Sequence, residues 1–223
     1  DYLYKVTTIR AETGALKDLL EWETQLKASR YFEEAGQKRP LLMRHSQGDQ
    51  WDLLVIVPMQ SWTDYHSQAA TKKRRDAAVQ HAELIAAGQK LFAFYEDHFA
   101  YGPPWSALNT AYSDNSFFHI EMFYAAPGKA NELLEQRRME NAYLEATGQT
   151  PNMIFRRAAG SDVDVFTIGF HPSLEAFAAP ADVTVEEKEL QAKAAGFRGL
   201  ADLSFYLRSL ISGHHDTLAV KVD

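Results

Sequence analysis

The chain reads as an α+β protein made of tandem ferredoxin-like repeats, β-α-β-β-α-β twice over, and three observations predict this. The sequence matches itself, in order, across its two halves. Each half passes through the same succession of strand-like and helix-like periodicities. Glycines and prolines punctuate both halves at corresponding places.

Residues 3–20 (LYKVTTIRAETGALKDLL) align with 117–134 (FFHIEMFYAAPGKANELL), so that Gly14 falls on Gly128, Leu19 on Leu133 and Leu20 on Leu134. Further on, Gly36 falls on Gly148, Arg44 on Arg156, Gly48 on Gly160 and Asp52 on Asp164. Late in each half Phe94 and Tyr95 match Phe205 and Tyr206, and Gly102 matches Gly213. The expected organisation is a first repeat over 1–102, a proline-punctuated linker over 103–116 and a second repeat over 117–223.

The elements follow in order. First strands are expected over Leu3–Ile9 and Phe117–Tyr124, rich in aromatic and β-branched residues. Leucines at 16, 19, 20 and 26 mark one helix, and Ala130, Leu133, Leu134 and Leu144 its counterpart; Gly36 and Gly148 stop them. Hairpins turn at Gly48-Asp49 and Gly160-Ser161. Ser61 and Ser173 are N-cap candidates, and Thr184 with Glu187 forms a capping box. Last strands are expected over Leu91–Phe99 and Leu203–Leu210. Each repeat then gives a four-stranded antiparallel sheet with helices on one face. The bare faces need cover, so the two sheets are expected to pack as an α/β barrel, helices outside, around a cavity between the repeats.

Composition narrows function. The net charge of −7 opposes extended contact with a phosphate backbone, so no nucleic acid partner is expected, and Lys72 to Arg75 reads as a solvated helix face. No apolar run is long enough for a membrane span. The absence of cysteine excludes disulfides and thiolate chemistry. A chain opening at Asp1 rather than Met fits a removed export signal, and equally a trimmed boundary, with a lean to an exported or periplasmic protein. Homodimerisation through outer helix faces stays open.

Ser61, Trp62, Tyr65 and His66 follow the third strand, and the second half keeps Ser173 and Phe177 but has Ala178 in place of His66. With the duplicated β-α-β-β-α-β pattern, this resembles the dimeric α/β-barrel superfamily, whose duplicated members include NIPSNAP-like, Dabb and antibiotic-biosynthesis-monooxygenase-like proteins. The resemblance implies a small-molecule ligand and, through chlorite dismutase-like members, heme as a minor alternative. Their histidine and arginine pattern is not found on this chain.

Side chains two apart on a strand share a face. Tyr4, Val6, Phe118, Ile120 and Met122 are expected to face the helices, leaving Lys5, Thr7, His119 and Glu121 pointing into the cavity. His119 and His66 are candidate proton acceptors, with Glu121 orienting His119; a mutual polar network joining the halves is the competing reading. Trp62, Tyr95, Asp97 and His98 are candidate substrate contacts, the last two unmatched in the second half. His119 and Glu121 are an acceptable pair for a zinc or iron site but too few ligands for one, so metal binding is, like heme, a minor alternative, and His214 to Asp216 reads as an exposed turn in the tail. No cofactor is required. The function expected is small-molecule binding, extending to a cofactor-independent oxygenase or isomerase, with a non-catalytic exported binding module as the alternative.

Overall fold

The computed structural model describes residues 1–222. The first half runs β1 (Tyr2–Ala11), α1 (Leu16–Ala28), α2 (Tyr31–Glu34), β2 (Leu41–Gln47), β3 (Leu53–Gln60), α3 (Trp62–Tyr65), α4 (Gln68–Gln80), α5 (Ala82–Gln89) and β4 (Phe92–Gly102). Helix α6 (Trp105–Asp114) leads to β5 (Phe117–Ala125), α7 (Ala130–Ala146), β6 (Met153–Gly160), β7 (Val165–His171), α8 (Leu174–Ala178), α9 (Val185–Ala194), α10 (Asp202–Leu210) and β8 (Ile211–Lys221).

The local signals act as their chemistry requires. Ser61 and Ser173 cap α3 and α8 by accepting the backbone N–H of Asp64 and Ala176, and Thr184 with Glu187 completes a capping box on α9. Gly36 and Gly148 adopt φ of 65° and 74°, a region open to glycine at little steric penalty, and end the helical segments there. Asp52 and Asp164 play one part twice: each carboxylate accepts a backbone N–H, of Ala11 and Ala125 respectively, at 2.8 Å.

All eight strands join one closed antiparallel barrel, in the order β1-β3-β2-β8-β5-β7-β6-β4. Within each half the order is fourth, first, third, second, as in a ferredoxin-like sheet. The halves are hydrogen-bonded along β2–β8 and β4–β6, so there are not two separate sheets packed face to face. Closure removes every sheet edge.

The interior is full. Tyr4, Val6, Leu54, Ile56, Phe118, Ile120, Phe155 and Phe166 belong to one buried cluster drawn from both halves. Phe155 and Phe166 stack with centroids 4.4 Å apart. Leu108 of α6 enters the same cluster, and Tyr112 stacks on Phe118 at 5.5 Å while its hydroxyl donates to the Leu42 carbonyl. The stretch expected as a linker therefore carries a helix that plugs one end of the barrel.

Two expectations fail here. The first-strand faces are inverted: Tyr4, Val6, Phe118, Ile120 and Met122 fill the barrel, while Lys5, Thr7, His119 and Glu121 lie on the outer face under the helices. Both faces of a barrel strand are covered, so polarity alone does not say which cover is which; the more apolar face went to the compartment sealed on all sides. The cavity expected between the repeats is consequently reduced to about 90 Å³ at one end of the barrel, beside Trp51, His98, Met122 and Val163. The last strand of the second half is also displaced. Residues 202–210 are helix α10, and the strand beside β5 is Ile211–Lys221, so Phe205, Tyr206 and Gly213 are not counterparts of Phe94, Tyr95 and Gly102.

Candidate functional site

With the interior filled, the larger clefts lie outside the barrel, one in each half, between the outer sheet face and the helices. The first is a cavity of about 700 Å³ walled by β1, β3, the start of β4, α1 and α2. The hydrophobic part of its wall is Trp22, Phe32, Phe92, Phe94 and Tyr95, with Ile9, Leu26, Val55 and Val57. Its polar groups are few: Lys5, Thr7, Asp97, Glu23 and Gln89. This mix of apolar wall and a few converging polar groups is typical of small-molecule sites.

The polar groups sit where strand register puts them. Thr7 lies opposite Asp97 across β1–β4, and its hydroxyl donates to Asp97 Oδ1 at 2.5 Å. Lys5 Nζ stands 3.6 Å from Asp97 Oδ2. Above them, α1 contributes Glu23, 4% exposed. Burial pushes its carboxyl up to about 7, against a weaker opposing pull from Lys27. Trp22 is held by an Nε1–H bond to the Leu84 carbonyl at 2.7 Å, which ties α1 to α5.

The second cavity, about 450 Å³, lies between β5, β7, α7 and the segment after α8. Glu121 lies opposite Asp216 across β5–β8, as Thr7 does opposite Asp97. His119 Nε2 is 3.6 Å from Asp216 Oδ1. The Thr167 hydroxyl donates to Glu121 Oε2 at 3.0 Å, and the guanidinium of Arg137, its side chain 1% exposed, reaches the same oxygen at 3.4 Å and also pairs with Glu140. Burial raises the Glu140 carboxyl despite Arg137. Burial works against a charged His119, but the neighbouring carboxylates of Asp216, Glu121 and Glu140 outweigh it and raise its pKa. The nearby His119 ring lowers Asp216, and burial with the His119 charge lowers His171.

The remaining sequence candidates scatter. Tyr95 and Asp97 line the first cavity. His66 is exposed at the end of α3, stacked on Trp62 at 5.9 Å, and Trp62 packs on Phe99, so both lie outside the walls of the two cavities. His98 points into the barrel end, 2% exposed, where burial pushes it down to about 4 and its Nε2 has no hydrogen-bond partner among the described residues. Asp97 is not peculiar to the first half, since Asp216 holds the equivalent register position, on a strand rather than an exposed tail.

Glu23 and Arg137 were missed, yet both carried a signal. Each lies one helical turn after the buried leucine of its helix, Leu19 or Leu133, and so on the core-facing stripe.

A heme requires an axial side chain and cationic groups for its propionates. The first cavity has no histidine in its wall. The second has His119 and His171, but among Glu121, Glu140 and Asp182, with Arg137 already paired to carboxylates. Neither cavity fits the group.

No protein-family model and no curated protein matches this sequence. Among solved structures, the chain is similar to an anthrone oxidase-like protein (12% identity, TM-score 0.57, covering 100% of this chain and 92% of that one). It is also similar to a candidate monooxygenase from Lactobacillus acidophilus (8% identity, TM-score 0.53, covering 100% and 94%). A mutant chlorite dismutase from Candidatus Nitrospira defluvii, in complex with cyanide, aligns as well (11% identity, TM-score 0.50, covering 99% and 90%). At these identities the likeness is one of fold: a ferredoxin-like α+β barrel.

Proposed function

We propose that the protein binds a flat aromatic small molecule in the first cavity and acts there as a cofactor-independent oxygenase, with Glu23 as the base. The carrying observation is Glu23, a buried carboxyl held at about 7 in the wall of a 700 Å³ aromatic cavity. A base tuned near neutrality both accepts and returns a proton at working pH. The fold shared with an anthrone oxidase-like protein and a candidate monooxygenase supports this reading. We also read the two halves, 1–102 and 117–223, as a duplicated ferredoxin-like unit in which the first half kept the ligand site.

The reaction would run on an activated methylene beside an aromatic ketone or phenol. Glu23 takes the methylene proton, and the enolate oxygen is stabilised by the Lys5 ammonium. The carbanion transfers an electron to dioxygen, and a C–O bond forms to give a peroxide that recovers the proton from Glu23. Loss of water leaves a carbonyl, so that one CH2 and one O2 become one C=O and one H2O. The aromatic wall around the site limits water at the carbanion.

The experiment is oxygen uptake on anthrone, a tricyclic aromatic ketone with an activated methylene, using protein treated with chelator and given no flavin or heme. Turnover should fall by about 100-fold or more in Glu23→Gln, while quenching of Trp22 fluorescence by the ligand persists. Turnover unchanged in Glu23→Gln would refute the assigned base. Binding without oxygen uptake in the native protein would instead favour the non-catalytic module, and carbon-bound proton exchange without oxygen uptake an isomerase.

A further inference from the structure

The second cavity repeats the geometry of the first with different chemistry, and the difference concerns a cation. In the first half the position beside the strand carboxylate is filled by the chain's own ammonium, Lys5 Nζ, 3.6 Å from Asp97. In the second half the register-equivalent residue is His119, opposite Leu218 as Lys5 is opposite Phe99. The neutral hydroxyl of Thr7 is likewise replaced by the carboxylate of Glu121. One fixed positive charge is lost at this point and one negative charge is gained.

From this geometry we propose that His119, Glu121 and Asp216 form a binding site for a first-row divalent cation, occupying the place that the Lys5 ammonium takes in the other half. One ligand atom from each of the three residues lies within 4.8 Å of those of the other two. A single nitrogen with two carboxylate oxygens suits Zn²⁺, Mn²⁺ or Fe²⁺ better than Ca²⁺, which asks for more oxygens. The ligands are oriented from behind: Thr167 and Arg137 both hold Glu121 Oε2, and Phe177 packs 5.0 Å from the His119 ring.

A second observation points to the same place. Gly169 lies directly opposite His119 across β5–β7, and a Cβ there would come within 2.9 Å of His171 Nε2 and 2.8 Å of Asn152 Oδ1. The missing side chain leaves room for two further donor atoms, and both residues line the cavity with His119 and Glu121. In the first half the residue opposite Lys5 is Val57, which carries a side chain at that position. Three protein ligands with space on the cavity side is the pattern of a metal that keeps open positions for water or an oxygen ligand. This site does not depend on the reading of the first cavity.

The test is metal binding by the full chain, stripped with chelator and titrated with Zn²⁺ by calorimetry, and with Co²⁺ to record visible ligand-field bands. One ion per chain is expected, with affinity weakened by about 100-fold or more in Asp216→Asn and in His119→Ala. His119→Lys should fold as well as the native apo-protein while losing the ion, because it reinstates the arrangement of the first half. His215→Ala should retain the ion, since His215 pairs with Asp49 instead. A native protein that binds no Zn²⁺ or Co²⁺, or binding that survives Asp216→Asn and His119→Ala together in folded protein, would overturn the proposal.

Discussion

The two outer cavities occupy equivalent places in one barrel, yet one is an aromatic chamber with a lone buried acid and the other a network of charges. The decisive exchange is on the first long helix of each half, where Glu23 in α1 corresponds to Arg137 in α7, each one turn past a buried leucine. A carboxyl with no guanidinium beside it is driven up to about 7. The guanidinium, buried at the matching point, collects Glu121 and Glu140. Leu26 in the first half, where Glu140 stands in the second, completes the inversion. A shared backbone thus fixes where a pocket opens and leaves its chemistry to a few positions.

The largest effect should come from removing the centre of the charged half. Arg137→Met leaves Glu121 and Glu140 without their buried counter-charge and should destabilise the protein by about 3–5 kcal/mol, read by urea denaturation at neutral pH. If the loss is below about 1 kcal/mol, the network is not what holds this half together.

Next is Glu23→Gln, whose effect depends on pH. Because the folded-state pKa is raised, the folded form binds the proton more tightly than the unfolded chain. Stability contributed by protonated Glu23 is therefore present below about pH 4.5 and lost as pH rises through about 7. Glu23→Gln should flatten that slope and gain up to about 3 kcal/mol over the native protein above pH 7. Parallel pH–stability curves for the two proteins would show that Glu23 is not perturbed.

A smaller effect isolates the aromatic half. A Cβ at Gly88 of α5 would fall 2.0 Å from the Trp22 ring, so Gly88→Ala must displace a wall of the first cavity. A loss of about 1–3 kcal/mol is expected, exceeding the helix-propensity gain of about 1 kcal/mol. Aromatic ligands should bind more weakly, and Zn²⁺ titration of the second cavity should be unaltered. A change in both cavities would show that they are not independent.

Much of the fold was legible because it rests on local chemistry. Ser61, Ser173 and the Thr184–Glu187 pair announce helix starts, and the matched glycines and Asp52/Asp164 mark equivalent turns in both halves. The end of the second half was not legible: Phe205 and Tyr206 resemble Phe94 and Tyr95, but they sit on α10, whose amphipathic spacing competes with the alternation of a strand. That misplacement hid Asp216 and left His119 and Glu121 without their third partner. His66 stood out in sequence because the second half lacks it, yet it is an exposed residue at a helix end.

Sequence by itself determined the succession of the first seven strands, several of the caps and turns that bound them, and which side chains share a strand face. Only the tertiary structure decided which face looks inward. When eight strands close on themselves, both faces are shielded, and alternation along a strand no longer points to solvent. The sealed interior takes the apolar set, and the ionisable set is left under helices that cover it incompletely, where the cavities form.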